Sequence, residues 1–252
     1  MNKNEFLEMK NEFAEYIYRY EYFLKCGAIN DCYYNHVFGK NLDEVRKYDL
    51  ENKLIMGAIK LKSDNKPQEE IDKFIADFKQ KFADENAKIE EKHRAADIIF
   101  ANNEKLTPEE RKQFEEDYLA YVKANHPIVK CFASEEEEKL FYLLNKLYKE
   151  NNILGFKEVI EMNKNIFKEV EYKEEDFNQI SAYFYDTKKN INADYLQKQN
   201  AYPYNKQDVL KNEISIAREM GEIKVRTNQL IASNKELHKD YIENFGEDIS
   251  IN

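Results

Sequence analysis

Residues 106–159 read LTPEERKQFEEDYLAYVKANHPIVKCFASEEEEKLFYLLNKLYKENNILGFKEV. The stretch holds two helix starts of one design: Thr107 precedes Glu110 by three residues, and Ser134 precedes Glu137 by three. In each, a hydroxyl can accept from an early helical amide while the glutamate reaches back to the amide of the capping residue. Pro108 suits a first turn, whose N–H has no helical partner in any case. Between the two helices lies His126-Pro127-Ile128, and proline disfavours helix at the residue before it. The run Glu135 to Glu138 reads as a helix start that complements the macrodipole, not as a metal site. A helical pair joined by a short loop is therefore expected.

The rest of the chain is built for helices too. It has 252 residues, enough for a sizeable core, and only 6 Gly and 4 Pro, so long helices are expected and strand signals are weak. A first helix is expected over about residues 5–26, with Phe6, Phe13, Ile17, Tyr20 and Leu24 inward and Gly27 as its stop. Residues 28–40 read as less regular. Asn41, with Glu44 three residues on, predicts a second helix to about Lys62. Pro67 opens a third, to about Asn103, with Ile75, Phe82, Ile89 and Ala96 spaced by seven and Ile71, Phe78, Glu85, Lys92 and Ile99 alongside. Such spacing is that of a coiled-coil seam, and the second and third helices should form an antiparallel hairpin.

Asn151-Asn152 breaks the chain before a helix near residues 154–168. Another is expected over 174–189, with Phe177, Ile180, Tyr183 and Phe184 on one side. Residues 190–205, polar and holding Pro203, read as a linker. Asn205 with Asp208 opens a long terminal helix whose apolar row is Ile216, Met220, Ile223, Thr227, Leu230 and Leu237. Thr227 and Asn234 interrupt that row, which favours packing back on the third helix over pairing with a second chain. The reading is an all-α fold divided as 1–104, a helical hairpin; 105–168, a small helical unit; and 169–252, helices that include the long terminal one.

The two capped helices around His126-Pro127 resemble the second and third helices of a J-domain, the module by which co-chaperones stimulate a heat-shock ATPase. The resemblance covers about 54 residues, 106–159. It implies an inner face of Tyr118, Leu119, Tyr121 and Val122 on one helix and of Leu140, Phe141, Leu144, Leu147 and Tyr148 on the next. It also implies a partner-binding patch at His126, Pro127, Ile128, Lys123 and Lys130. The family's loop reads His-Pro-Asp, whereas here Ile128 stands in the acidic place. The family's second helix is basic, and here it carries Glu109, Glu110, Glu115, Glu116 and Asp117. Charge complementarity governs encounter, so a degenerate J-like unit is expected.

Charge and motifs narrow the function classes. The net charge of −10 argues against direct nucleic-acid binding, which needs clustered Lys and Arg. No apolar run approaches the length of a membrane span. Three cysteines without framework spacing fit a reducing, cytoplasmic compartment. Cys26, Cys32 and His36, with Cys131 or His126 as a fourth ligand, match no common zinc spacing. Glu90 and His93 lack the second Glu-x-x-His of a dimetal bundle. No phosphate-cradling loop, nucleophile elbow or HExxH occurs. Neither an enzyme, a cofactor nor a metal is expected. The leading expectation is a non-catalytic protein-binding adaptor or scaffold, monomeric, with a homodimer as the alternative state. Co-chaperone action on a heat-shock ATPase is the runner-up. A third reading is an acidic inhibitor, of phage or mobile-element type, of a nucleic-acid-binding enzyme.

Overall fold

A computed structural model describes residues 1–251. Helix accounts for 84% of the chain and no strand occurs among the described residues, so the fold is all-α. The helices are α1 (Lys3–Ser63), α2 (Gln68–Lys105), α3 (Pro108–Asn125), α4 (Pro127–Lys130), α5 (Glu135–Lys149), α6 (Ile153–Asn163), α7 (Phe177–Lys198), α8 (Gln207–Leu210) and α9 (Glu213–Phe245). Among the described residues no helix is long and apolar enough to cross a membrane.

The first departure from the sequence reading is α1, which runs without a break through Gly27 and through the expected cap at Asn41. Two of its glycines, Gly27 and Gly57, are notches, not stops. A Cβ on Gly27 would meet the Tyr204 ring at 2.4 Å, and one on Gly57 would meet the Phe74 ring at 2.5 Å. Glycine is used here because a ring lies against the helix backbone, at a tolerable loss of helix propensity. Other boundaries also moved. Helix α7 continues to Lys198 through part of the expected linker, and α9 opens at Asn212, whose side chain accepts from the Ser215 amide, not at Asn205.

The chain forms two compact units, Met1–Cys32 with Ile98–Gln207, and Tyr33–Asp97 with Asp208–Asn252. They are interleaved along the sequence, a connectivity that the consecutive division 1–104, 105–168 and 169–252 does not express.

The first unit is an aromatic-rich helical core. Helices α3 and α5 lie antiparallel: Tyr118 stacks on Tyr148 at 3.5 Å between centroids and Tyr121 on Phe141 at 5.8 Å. Phe6 of α1 stacks on Phe177, and Phe13 on Phe184. Both expected capping boxes are present, at Thr107/Glu110 and Ser134/Glu137. The expected inner faces are buried, except that Leu119 and Leu147 are only half-buried.

The second unit contains the expected hairpin. His36 lies 3.6 Å from Asp97, His93 3.6 Å from Asp43, Arg46 reaches Asn86 and Glu85, and Gly57 faces Phe74. Residue numbers that fall on one side while they rise on the other define an antiparallel pair. The row on α9 packs within the chain, but chiefly on α1 and not on α2 as expected. Ile223 joins Tyr34, Phe38 and Val45, with Ile216, Met220 and Leu230 against them, while Leu237 and Tyr241 join Leu54, Ile55 and Ile71. The reason lies in the polar positions. Thr227 bonds back to the Ile223 carbonyl, and Asn234 Nδ2 donates to Asn52 Oδ1 at 2.9 Å while Asn52 donates to the Leu230 carbonyl. A buried amide needs a partner, and Asn52 on α1 supplies it.

Two pairs of substitutions test this packing. Ile223→Asp buries an unpaired charge and should cost about 3 kcal/mol or more. Val225→Asp, at a 59% exposed site on the same helix, should stay within about 0.5 kcal/mol in urea unfolding. Gly27→Ala should destabilise by about 1–3 kcal/mol through overpacking. Gly221→Ala, where nothing lies within 4 Å, should stabilise by about 1 kcal/mol.

Candidate functional site

The His126-Pro127-Ile128 turn ends α3 and opens α4. Extended backbone at His126 lets its Nδ1 accept from the Ile128 amide at 3.2 Å, while its own N–H donates to the Val122 carbonyl at 3.1 Å. The ring packs on Phe141 with centroids 4.4 Å apart and is 4% exposed. Cys131, in the left-handed conformation, ends α4 and turns the chain towards α5.

Of the five residues expected to meet a partner, three are interior. His126 caps the turn, Pro127 is buried, and Lys130 is 3% exposed and ion-paired with Glu137. Lys123 is half-buried and holds Glu15 of α1 at 2.8 Å. Ile128 also lies partly at the surface, and of the two it alone lines a groove.

Two buried polar clusters fix this region. In one, Glu21 of α1 takes a hydrogen bond from Asn145 at 3.0 Å and an ion pair from Lys149 at 2.8 Å, with His126 Nε2 at 3.9 Å. Burial works to raise the Glu21 carboxyl, but His126, Lys149 and Asn145 together pull it down to about 2. Beside it, Lys25 pairs with Glu115 at 2.6 Å, and Tyr18 and Tyr148 donate to the same carboxylate. Burial lowers the Lys25 ammonium. In the second cluster Glu137 accepts from the amides of Ser134 at 2.7 Å and Lys168 at 3.0 Å while pairing with Lys130. Burial would raise its carboxyl, but Lys130 and those two amides hold it at about 2.

The groove lies beside the turn and encloses about 450 Å³. Its floor is Pro127, Ile128, Cys131 and Ile180. Its rim carries three aromatic side chains, Phe132, Tyr142 and Tyr183, exposed by 54%, 60% and 45%. Glu138 and Asp176 complete the lining with Gln179 and Ala133. Burial pushes the Cys131 thiol up to about 11, so it stays protonated at neutral pH and is a weak nucleophile. A second groove of about 540 Å³, near Leu106 and Phe114, has Leu154 as its strongly exposed apolar side chain and no exposed aromatic ring.

Rim residues were not legible as a site. Tyr183 was expected on the inner side of α7 with Phe177, Ile180 and Phe184, but those three are buried and Tyr183 is not. A weak signal existed for Tyr142, which stands two residues from both inward Leu140 and inward Leu144 and so lies about 200° round the helix from each. Phe132 sits in the loop before Ser134, where period gives no guidance.

Cys26 and Cys32 stand on α1 six residues apart, with His36 four further on, while Glu90 and His93 stand on α2. Among the described residues no three His, Cys, Asp or Glu side chains converge as a set that could hold a metal ion. No protein-family model, curated protein or solved structure matches this chain.

The clusters dictate an acid response. Glu21 and Glu137 titrate near 2 in the folded protein against an ordinary 4.5. Their stabilisation is complete above about pH 5 and is lost as pH falls towards 2, so the urea midpoint should drop steeply over that interval. Lys130→Met leaves Glu137 without its cation and should cost about 3–5 kcal/mol at pH 7. Because that variant no longer depresses Glu137 as far, it should lose less further stability between pH 5 and pH 3 than the parent chain.

Proposed function

We propose that the chain is a non-catalytic protein-binding adaptor and that the groove beside the His126–Ile128 turn is its contact surface. One observation carries the reading: three large aromatic side chains stand exposed around an apolar floor. Tyrosine and other aromatics dominate interface hot spots because they offer large area at small entropic loss. Soluble domains rarely leave such side chains together without use. Two packed helices and a cap-locked turn hold the floor in place, so little ordering remains to be done on binding.

The reading rests on the groove and not on the histidine. In the J-like expectation His126 and its neighbours meet an ATPase, and an inward ring that caps its own turn is poorly placed for that task. The degenerate character of the unit, with Ile128 in the loop, supports the same choice. Ile128 contributes to an apolar floor where an aspartate would bring a charge.

Selection from a random peptide display library on the immobilised full chain provides the test. Enriched peptides should carry aromatic or aliphatic anchors. Their affinity should fall about tenfold or more, roughly 1.4 kcal/mol, on Tyr142→Asp or Phe132→Asp. Both side chains are exposed, so melting temperature should not move. Enriched peptides that bind the two variants as well as the parent chain would remove the groove from consideration.

A further inference from the structure

The geometry points to a cationic occupant: a partner segment that places an arginine, beside an apolar residue, among Phe132, Tyr142 and Tyr183. This deepens the adaptor reading and rests on it. The lining holds two carboxylates, Glu138 and Asp176, and no lysine or arginine. Among the described residues neither carboxylate has a hydrogen bond or an ion pair. Glu138 is exposed in the first turn of α5. Asp176 stands at the N-cap of α7 yet makes no side-chain cap bond.

The neighbouring charges sort themselves differently. Glu137 is neutralised by Lys130, and Glu135 holds Lys139 at 2.5 Å. Among the described residues Glu136 and Glu174 are also without an ion pair, but neither lines the groove, whose two acids are Glu138 and Asp176. An anionic occupant is disfavoured although two helix N-termini lie close by. The start of α5 is already satisfied by the Ser134/Glu137 capping box, and that of α7 already has Asp176 beside it. A negatively charged ligand would have to approach both carboxylates without a cation in the lining to receive it.

The remaining features suit a guanidinium. Its methylene stem can lie on Pro127, Ile128 and Ile180 while the charged head stays at the wet rim. Aromatic faces within reach add cation–π attraction, to which arginine contributes by stacking as well as by charge. Lysine has the charge without the planar surface, so arginine should be preferred.

Fluorescence anisotropy on the full chain tests this with labelled short peptides that differ only at one position flanked by leucines: Arg, Lys, Gln or Glu. The Arg peptide should bind about tenfold tighter than the Gln peptide and severalfold tighter than the Lys peptide, and the Glu peptide weakest of all. The double variant Glu138→Gln/Asp176→Asn should bring Arg binding down to the Gln level, with the circular dichroism spectrum unchanged. Equal binding of the Arg and Gln peptides, both weakened by Tyr142→Ala, overturns the cationic occupant and leaves the groove as a docking site. Arg binding that survives the double variant also overturns it, since the peptide is then held elsewhere on this acidic chain. If no peptide binds and display also fails, the adaptor reading falls with it.

Discussion

Glu137 is the side chain on which the candidate site depends. Its carboxylate accepts from the Ser134 amide as half of a capping box, pairs with Lys130 at the end of α4, and accepts from the Lys168 amide beyond α6. Three chain segments are thereby tied to one buried anion. The arrangement satisfies what a buried charge demands, a cation together with enough donors for both oxygens. It also fixes α4 against the first turn of α5. That contact sets Pro127, Ile128 and Cys131 as the floor of the groove and leaves Phe132 on its rim.

A second constraint acts through α1. This helix contributes to both compact units, and each unit takes its own apolar row from it: Phe6, Phe13 and Ile17 in the first, Phe38, Val45, Leu54 and Ile55 in the second. Where a ring must approach the helix backbone, a glycine makes room, as at Gly27 under Tyr204 and Gly57 under Phe74. The first unit is completed by polar groups carried inward. Lys25 lies over the Tyr148 ring at 4.1 Å while it pairs with Glu115, so the aromatic load serves both packing and charge compensation. Glu21 does the comparable work beside His126. The residue pair that suggested a recognition loop is thus part of the interior of the helical unit.

Much of the fold was legible in the amino-acid sequence because the signals concerned were local. A serine or threonine three residues before a glutamate states a helix start whatever lies around it, and both boxes formed where they were read. The scarcity of Gly and Pro stated an all-α chain. A seven-residue row and a polar turn before Pro67 stated an antiparallel hairpin, and the pairs from His36–Asp97 to Gly57–Phe74 trace it. Tyr118, Val122, Phe141 and Leu144, which the J-domain resemblance implied as inner-face residues, are buried.

What local signals could not state, the tertiary structure decided. Gly27 has the same chemistry as a helix stop and as a notch, and only the Tyr204 ring, far along the chain, makes it a notch. Asn234 could interrupt a seam or pair across it, and Asn52 settles which. His126 could face a partner or cap its own turn. The difference lies in Phe141 and Glu21, which approach it from other helices. The groove itself is a sum of segments from α4, α5 and α7, so no single stretch announces it. By itself the sequence determined that the chain is helical and where several of its helices start, because those choices are made within a few residues. Which polar groups are sealed and which aromatics stay exposed was decided by packing between distant segments, where burial has to be matched by a partner.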